Sequence, residues 1–223
     1  MLLVLFDCDG TLVDSAGLIH EVMVRTFVHF GHAPPSFAET KSIIGLTLDI
    51  AIARLQGKRH ADDEAVAMMA HYKQIFAGVR AGGLATERPY DGIPEVIAAL
   101  AAREDVLIGA VTGKARRGLN LVLESNGWSD HFQVGRTADD CPSKPHPAMV
   151  TECCAQMGTD ARDTVVIGDA IYDMQMAKSA GAHAIGVSWG YASVAELEAA
   201  GADVIAQTPA DLLGLILRER ADA

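Results

Sequence analysis

A chain of 223 residues can bury one substantial core with room for a second, smaller unit. Half of it is apolar and only 5% aromatic, which suits an α/β protein packed with Ala, Val, Leu and Ile. A formal charge of −11 has the wrong sign for a nucleic-acid partner, because phosphate backbones call for a basic surface.

That charge leaves room for a small phosphorylated ligand, provided a cation or a few bases correct the field locally. No apolar run approaches the ~18 residues of a membrane span. The apolar start lacks a basic leader and is interrupted early by Asp7, unlike a signal peptide. Cys8, Cys141, Cys153 and Cys154 form no C-x-x-C pair and no spaced Cys/His set, which argues against zinc and fits a reducing compartment. The expectation is a soluble, cytoplasmic protein with neither nucleic acid nor membrane as a partner.

Residues 2–6 are a short apolar run that reads as a buried central strand of a parallel sheet. The run delivers Asp7 and Asp9 at its carboxyl end, where Gly10 permits a tight turn and Thr11 adds a hydroxyl. Ligands of open α/β sheets bind at the carboxyl ends of strands, so two acids there point to chemistry. Helical spacing then predicts helices over 18–30, 37–44, 48–55 and 61–76, with no strand before residue 82. An all-helical insert over 16–84 is therefore expected, interrupting a core made of 1–15 and 85–223.

From residue 90 strands and helices alternate. Strands are predicted at 106–111, 132–134, 164–167, 184–187 and 203–205. Helices are predicted over 94–103, 115–126, 147–157, 171–179, 194–199 and 210–217. This alternation implies βαβ crossovers and a doubly wound, parallel, Rossmann-like sheet.

The later strand ends add Thr112, Lys144 (before Pro145) and Asp169 to the two acids, and Asp173 stands one helical turn beyond Asp169. Carboxylates gathered this way repel one another unless a proton or metal relieves them, and oxygen-only ligands select a hard divalent cation such as Mg²⁺. An EF-hand loop starting at Asp7 fails, because its twelfth position is Leu18 and not Glu. Residues 109–114 are one short of a P-loop and lack its Ser or Thr.

Asp7-x-Asp9-Gly10-Thr11-Leu12, Thr112, Lys144-Pro145 and Gly168-Asp169-x-x-x-Asp173 resemble, in order and spacing, the four motifs of the haloacid dehalogenase superfamily. The helical insert resembles that superfamily's small helical cap. Ser188-Trp189-Gly190-Tyr191, Ala200-Gly201-Ala202-Asp203 and Pro209-x-Asp211-Leu212-Leu213 resemble its phosphoglycolate phosphatase-like branch.

The resemblance implies that Asp7 is a nucleophile forming an aspartyl-phosphate, and that Asp9 protonates the leaving oxygen and then activates water. It implies Mg²⁺ on Asp7, the Asp9 backbone carbonyl and Asp169, with Asp173 supporting it directly or through water. Lys144 and Thr112 would hold phosphoryl oxygens, with Gly10, Thr11 and the Gly113 backbone around them. Asp at position 9 is the mark of the phosphatases and phosphomutases and disfavours dehalogenation. Gly113, Ser143 and Ala170 depart from the family's frequent Asn, Gly and Ser or Thr. Gly45, Lys41 and Arg54 of the insert are candidates to face the substrate. Phosphoglycolate leads among substrates. Pyrophosphate, a sugar phosphate and a phosphonate stay open, as do a phosphomutase outcome, a non-catalytic binding role and the oligomeric state.

Overall fold

The first strand, β1 (Leu2–Phe6), is buried along its whole length, so both of its faces must be covered. Its alternating side chains do this by entering different cores: Val4 and Phe6 pack on one face of the sheet, Leu3 and Leu5 on the other. The protein is described from a computed structural model covering residues 1–83 and 87–218. After β1 come β2 (Val13–Asp14), α1 (Ala16–His29), α2 (Phe37–Ile43), α3 (Leu48–Leu55), α4 (Asp63–Ala81) and β3 (Arg88–Pro89). The chain continues through α5 (Ile93–Ala101), β4 (Val106–Val111), α6 (Arg116–Ser125), β5 (Val134–Arg136) and α7 (Ala148–Met157). It ends with β6 (Thr164–Gly168), α8 (Ile171–Ala180), β7 (His183–Val187), α9 (Val194–Ala199), β8 (Val204–Ala206) and α10 (Pro209–Arg218).

Six strands form one parallel sheet in the order β5-β4-β1-β6-β7-β8. Numbered by chain order among themselves they run 3-2-1-4-5-6, the doubly wound arrangement expected from the alternation. β1 sits at the centre, with Phe6 opposite Ala110 on one side and Ile167 on the other. The carboxyl ends of β1, β4 and β6 therefore open side by side, and that is where the strand order reverses. α5, α6 and α10 cover one face of the sheet; α7, α8 and α9 cover the other.

Helices α1–α4 gather a hydrophobic cluster of their own from Leu18, Met23, Ile52, Met68 and neighbours. Ala170 and Tyr172 join that cluster from the α8 end, directly beside the strand mouths.

Several expected boundaries move. β2 and β3 pair antiparallel, Val13 with Pro89 and Asp14 with Arg88, clamping together the two connections to the helical insert. Two residues are too few to show any periodicity, so no strand was expected before residue 82. The third strand of the sheet lies at 134–136 and not 132–134, because Gly135 is accepted inside it. α4 begins at Asp63, where the Asp62 carboxylate caps the Ala65 N–H at 3.0 Å, and it runs to Ala81 straight through Gly78. The expected end of the insert, between residues 84 and 85, lies outside the described residues. Among the described residues no helix is long and apolar enough to cross a membrane.

Candidate active site

β1 hands the chain to a tight loop that places Asp7 and Asp9 at the mouth. The Asp7 N–H donates to the Ile167 carbonyl at 2.8 Å, extending the pairing with β6 by one residue. Gly10 turns the loop at φ +89°, and a Cβ there would overlap the Asp169 carboxylate. Gly190 is equally close to Asp169 from the other side. Glycine is required at both because two backbones approach one carboxylate.

Asp169 is thereby held on both oxygens. Thr11 Oγ1 donates to Oδ1 at 3.0 Å, and the Tyr191 N–H donates to Oδ2 at 2.9 Å. Lys144, expected as a ligand of phosphate, is buried together with its stem and donates to Asp7 Oδ1 at 2.8 Å and Asp173 Oδ1 at 2.5 Å. Asp173 Oδ2 accepts the Ala170 N–H at 3.0 Å, which ties the first turn of α8 to the same cluster. Thr112 is buried at the end of β4, its Oγ1 accepting the Lys114 N–H at 3.2 Å.

Asp7, Asp169 and Asp173 each present an oxygen within 4.8 Å of the others. Three buried carboxylates against the single ammonium of Lys144 leave an excess of negative charge out of water, which is costly unless a proton or cation enters. Burial pushes the Asp7 carboxyl up to about 7 although Lys144 pulls it down, and Asp173 adds to the rise. Asp169 is likewise driven well above the usual carboxylate range by burial and by Asp7 and Asp173. Lys144 is held above an ordinary lysine because Asp173 and Asp7 together outweigh the effect of its burial.

Asp7 Oδ2 is buried without a hydrogen-bond partner. An unpartnered oxygen beside two further carboxylates fits a hard divalent cation. The Asp9 carboxylate stands apart from this group. Its Oδ1 accepts from Ser15 Oγ at 2.5 Å and pairs with Lys114 Nζ at 2.9 Å. The Asp9 carboxylate is accordingly not among the oxygens that Asp7, Asp169 and Asp173 bring together.

The insert reaches the same mouth. A Cβ on Gly113 would stand 2.5 Å from the Leu46 carbonyl oxygen and 2.6 Å from that of Gly45, so the α2–α3 loop is seated on Gly113. Ser143 Oγ accepts the Thr47 N–H at 2.9 Å, so the departures at 113 and 143 both serve this contact. Gly45 lies over Ala170 and Tyr172. Arg54 Nη1 donates to the Tyr172 hydroxyl at 2.8 Å, whereas Lys41 sits over Phe37 within the insert, 5.4 Å from the ring centre.

Sequence reasoning missed Ser15, Glu87, Lys114 and the structural use of Gly190 and Tyr191. Lys114 did carry a signal, two residues past Thr112 at a strand end, but it read as the close of the strand. Glu87 offered none, because its partners in space are Lys114, beyond the end of β4, and Arg80 of α4.

The chain matches the profile of the haloacid dehalogenase-like hydrolases over residues 4–187. It is 31% identical over 219 residues to a phosphoglycolate phosphatase of Yersinia pestis, spanning 96% of this chain and 92% of that one. It is 28% identical over 221 residues to an N-acetylmuramic acid 6-phosphate phosphatase of Pseudomonas aeruginosa, spanning 98% and 96%. In structure it superposes on a hydrolase from Pseudomonas syringae with a TM-score of 0.85, covering 98% and 99% at 23% identity. The chain belongs to the haloacid dehalogenase-like hydrolase family. Within it, the chain stands with the phosphatases of the phosphoglycolate phosphatase-like branch.

Two outcomes test the electrostatics and the packing. Because the folded pKa of Asp7 is raised from 3.8 to about 7, the native state keeps a proton that the unfolded chain releases. Stability of the metal-free protein should then fall as pH climbs through that window. Asp7→Asn removes the charge, so in EDTA at pH 8 it should melt higher than the wild type by at least about 2 °C, the gap narrowing toward pH 5. A lower melting temperature for Asp7→Asn at pH 8 would mean that the ion pair with Lys144 outweighs desolvation. Gly113→Ala should cost about 1–3 kcal/mol by driving its methyl into the Gly45 and Leu46 carbonyls, measurable as a lower urea midpoint at unchanged slope.

Proposed function

We propose that this protein is a Mg²⁺-dependent phosphatase that hydrolyses a small phosphorylated metabolite through an aspartyl-phosphate on Asp7, with phosphoglycolate the leading substrate. The observation that carries the reading is the buried, unpartnered Asp7 Oδ2 at the centre of a cluster that also holds Lys144, Asp169 and Asp173. Such an oxygen is poorly satisfied in the resting protein and is placed to form a bond.

The Asp7, Asp169 and Asp173 carboxylates and the Asp9 backbone carbonyl would hold Mg²⁺. When bound, the cation offsets the repulsion between phosphate and carboxylates and orients the phosphoryl oxygens. At ~4 Å and an effective dielectric of ~20 that repulsion is about 4 kcal/mol per charge pair, so the cluster needs both the cation and Lys144. Asp7 attacks phosphorus while the ester oxygen departs with a proton from Asp9. Asp9, now a carboxylate, takes a proton from water, and the resulting oxygen attacks phosphorus, releasing phosphate and restoring Asp7. Lys144, Thr112 and the Gly113 N–H hold the phosphoryl oxygens through both steps.

We assign residues 1–15 and 85–223 to the catalytic core and 16–84 to a cap. The cap's α2–α3 loop, seated on Gly113 and Ser143, excludes water and presents Gly45 to the leaving group. Phosphoglycolate is favoured by the resemblance to its phosphatases, and a small anionic ester suits a mouth covered this closely. The four cysteines are free and buried, which supports a place in the reducing cytoplasm.

A panel of phosphomonoesters assayed with Mg²⁺ for released phosphate tests the reading. Activity on at least one small alkyl phosphate is expected, lost on chelation and reduced at least ~10³-fold in Asp7→Asn. An Asp7→Asn variant of undiminished activity would refute the covalent route. Accumulation of an isomeric phosphoester in place of free phosphate would make the protein a mutase.

A further inference from the structure

Asp9 must aim one oxygen at the leaving group, yet nothing in the metal cluster holds its carboxylate. The residues that do hold it lie on the opposite side. Lys114 Nζ is 2.9 Å from Asp9 Oδ1 and 2.8 Å from Glu87 Oε1, with the two partner side chains only 8% and 2% exposed. Glu87 in turn pairs with Arg80 Nε of α4 at 3.2 Å. The four side chains form an alternating line of charge from the catalytic loop to the last turn of the longest insert helix.

The surroundings of Lys114 are shaped to it. A Cβ on Gly118 would stand 2.8 Å from Lys114 Cγ, so α6 is left bare where the lysine stem passes. The backbone on either side is pinned, with the Lys114 N–H on Thr112 Oγ1 and the Lys114 carbonyl accepting from Ala138. Phe76 of α4 closes the far side, 5.9 Å from ring centre to Nζ. A lysine withdrawn from water to this degree is expensive unless its charge is used, and both of its partners are carboxylates.

Both contacts to Asp9, from Lys114 and from Ser15 Oγ at 2.5 Å, fall on Oδ1. Oδ2 is then the oxygen left to serve the leaving group. We propose that Lys114 is a positioning residue for Asp9, and that Glu87, which follows the return connection from α4, holds Lys114 in place. This rests on the phosphatase reading above. It adds that the aim of the acid depends on a charge line running into the insert, so a displaced α4 end would leave Asp9 unaimed.

The test uses kcat/KM, which covers binding and phosphoryl transfer to Asp7 but not the later hydrolysis, on two substrates of different leaving group. An alkyl phosphate needs its oxygen protonated as it departs, whereas p-nitrophenyl phosphate scarcely does. Lys114→Met should lower the alkyl-to-aryl ratio of kcat/KM at least about tenfold, since general acid catalysis is worth ~10²–10⁴ and depends on geometry. Glu87→Gln should shift the ratio in the same direction by less. In an Asp9→Asn background Lys114→Met should cost little more, because residues acting through one group are not additive.

Equal losses on both substrates, or losses that add in the double variant, would overturn the proposal while leaving the phosphatase reading intact. If Lys114→Met does not fold, as judged by circular dichroism, the ratio measured in Glu87→Gln decides alone. A wild-type protein inert toward the whole phosphomonoester panel would remove the reading and this proposal together.

Discussion

Three buried carboxylates facing one buried ammonium set the terms for the rest of this structure. Asp7, Asp169 and Asp173 meet at the carboxyl ends of β1 and β6, and Lys144 bonds two of them. The arrangement is incompletely neutralised, and in an interior that is a standing cost of several kcal/mol. What surrounds it is built to tolerate that cost. Gly10 and Gly190 let two backbones close on Asp169, and Thr11 and the Tyr191 N–H bond its oxygens. The strain is electrostatic, of the kind a bound cation would relieve, and the buried Asp7 Oδ2 without a partner is where it is left most exposed.

Around this centre the fold supplies order and the insert supplies closure. Doubly wound topology brings the ends of β1, β4 and β6 together. The insert packs its own core and meets the mouth through Gly45 and Leu46 on Gly113, Thr47 on Ser143, Ser42 and Arg54 on Tyr172, and Phe76 and Arg80 beside Lys114 and Glu87. The β2–β3 pair ties the two connections together where they leave the core.

Much of this was legible in the sequence, and the reasons differ by element. β1, β4, β6 and β7 announced themselves as apolar runs because parallel strands are buried on both faces. The acids and the hydroxyl were visible because they sit at strand ends that the sequence had already marked, and Lys144 because it precedes Pro145 and a helix start. β2 and β3 were not visible, since two residues carry no period. Gly135 and Gly78 misled boundary placement, because packing in the folded chain outweighed the local preference against glycine. Lys114 and Glu87 were missed for a deeper reason. Their partnership joins residues far apart in the chain, and no spacing rule records that.

If the carboxylate cluster is a cation site, its occupancy displaces a proton from Asp7. Calorimetric titration of the metal-free protein with Mg²⁺, repeated in buffers of different ionisation enthalpy, measures both binding and protons released. With Asp7 pushed up to about 7, binding at pH 6 should release protons, and the release should dwindle by pH 8.5 while affinity rises. Asp169→Asn should abolish the binding, whereas Asp9→Asn, which keeps its backbone carbonyl, should retain it. Absence of Mg²⁺ binding at pH 8.5, or binding at pH 6 that takes up protons, would contradict the account at its centre.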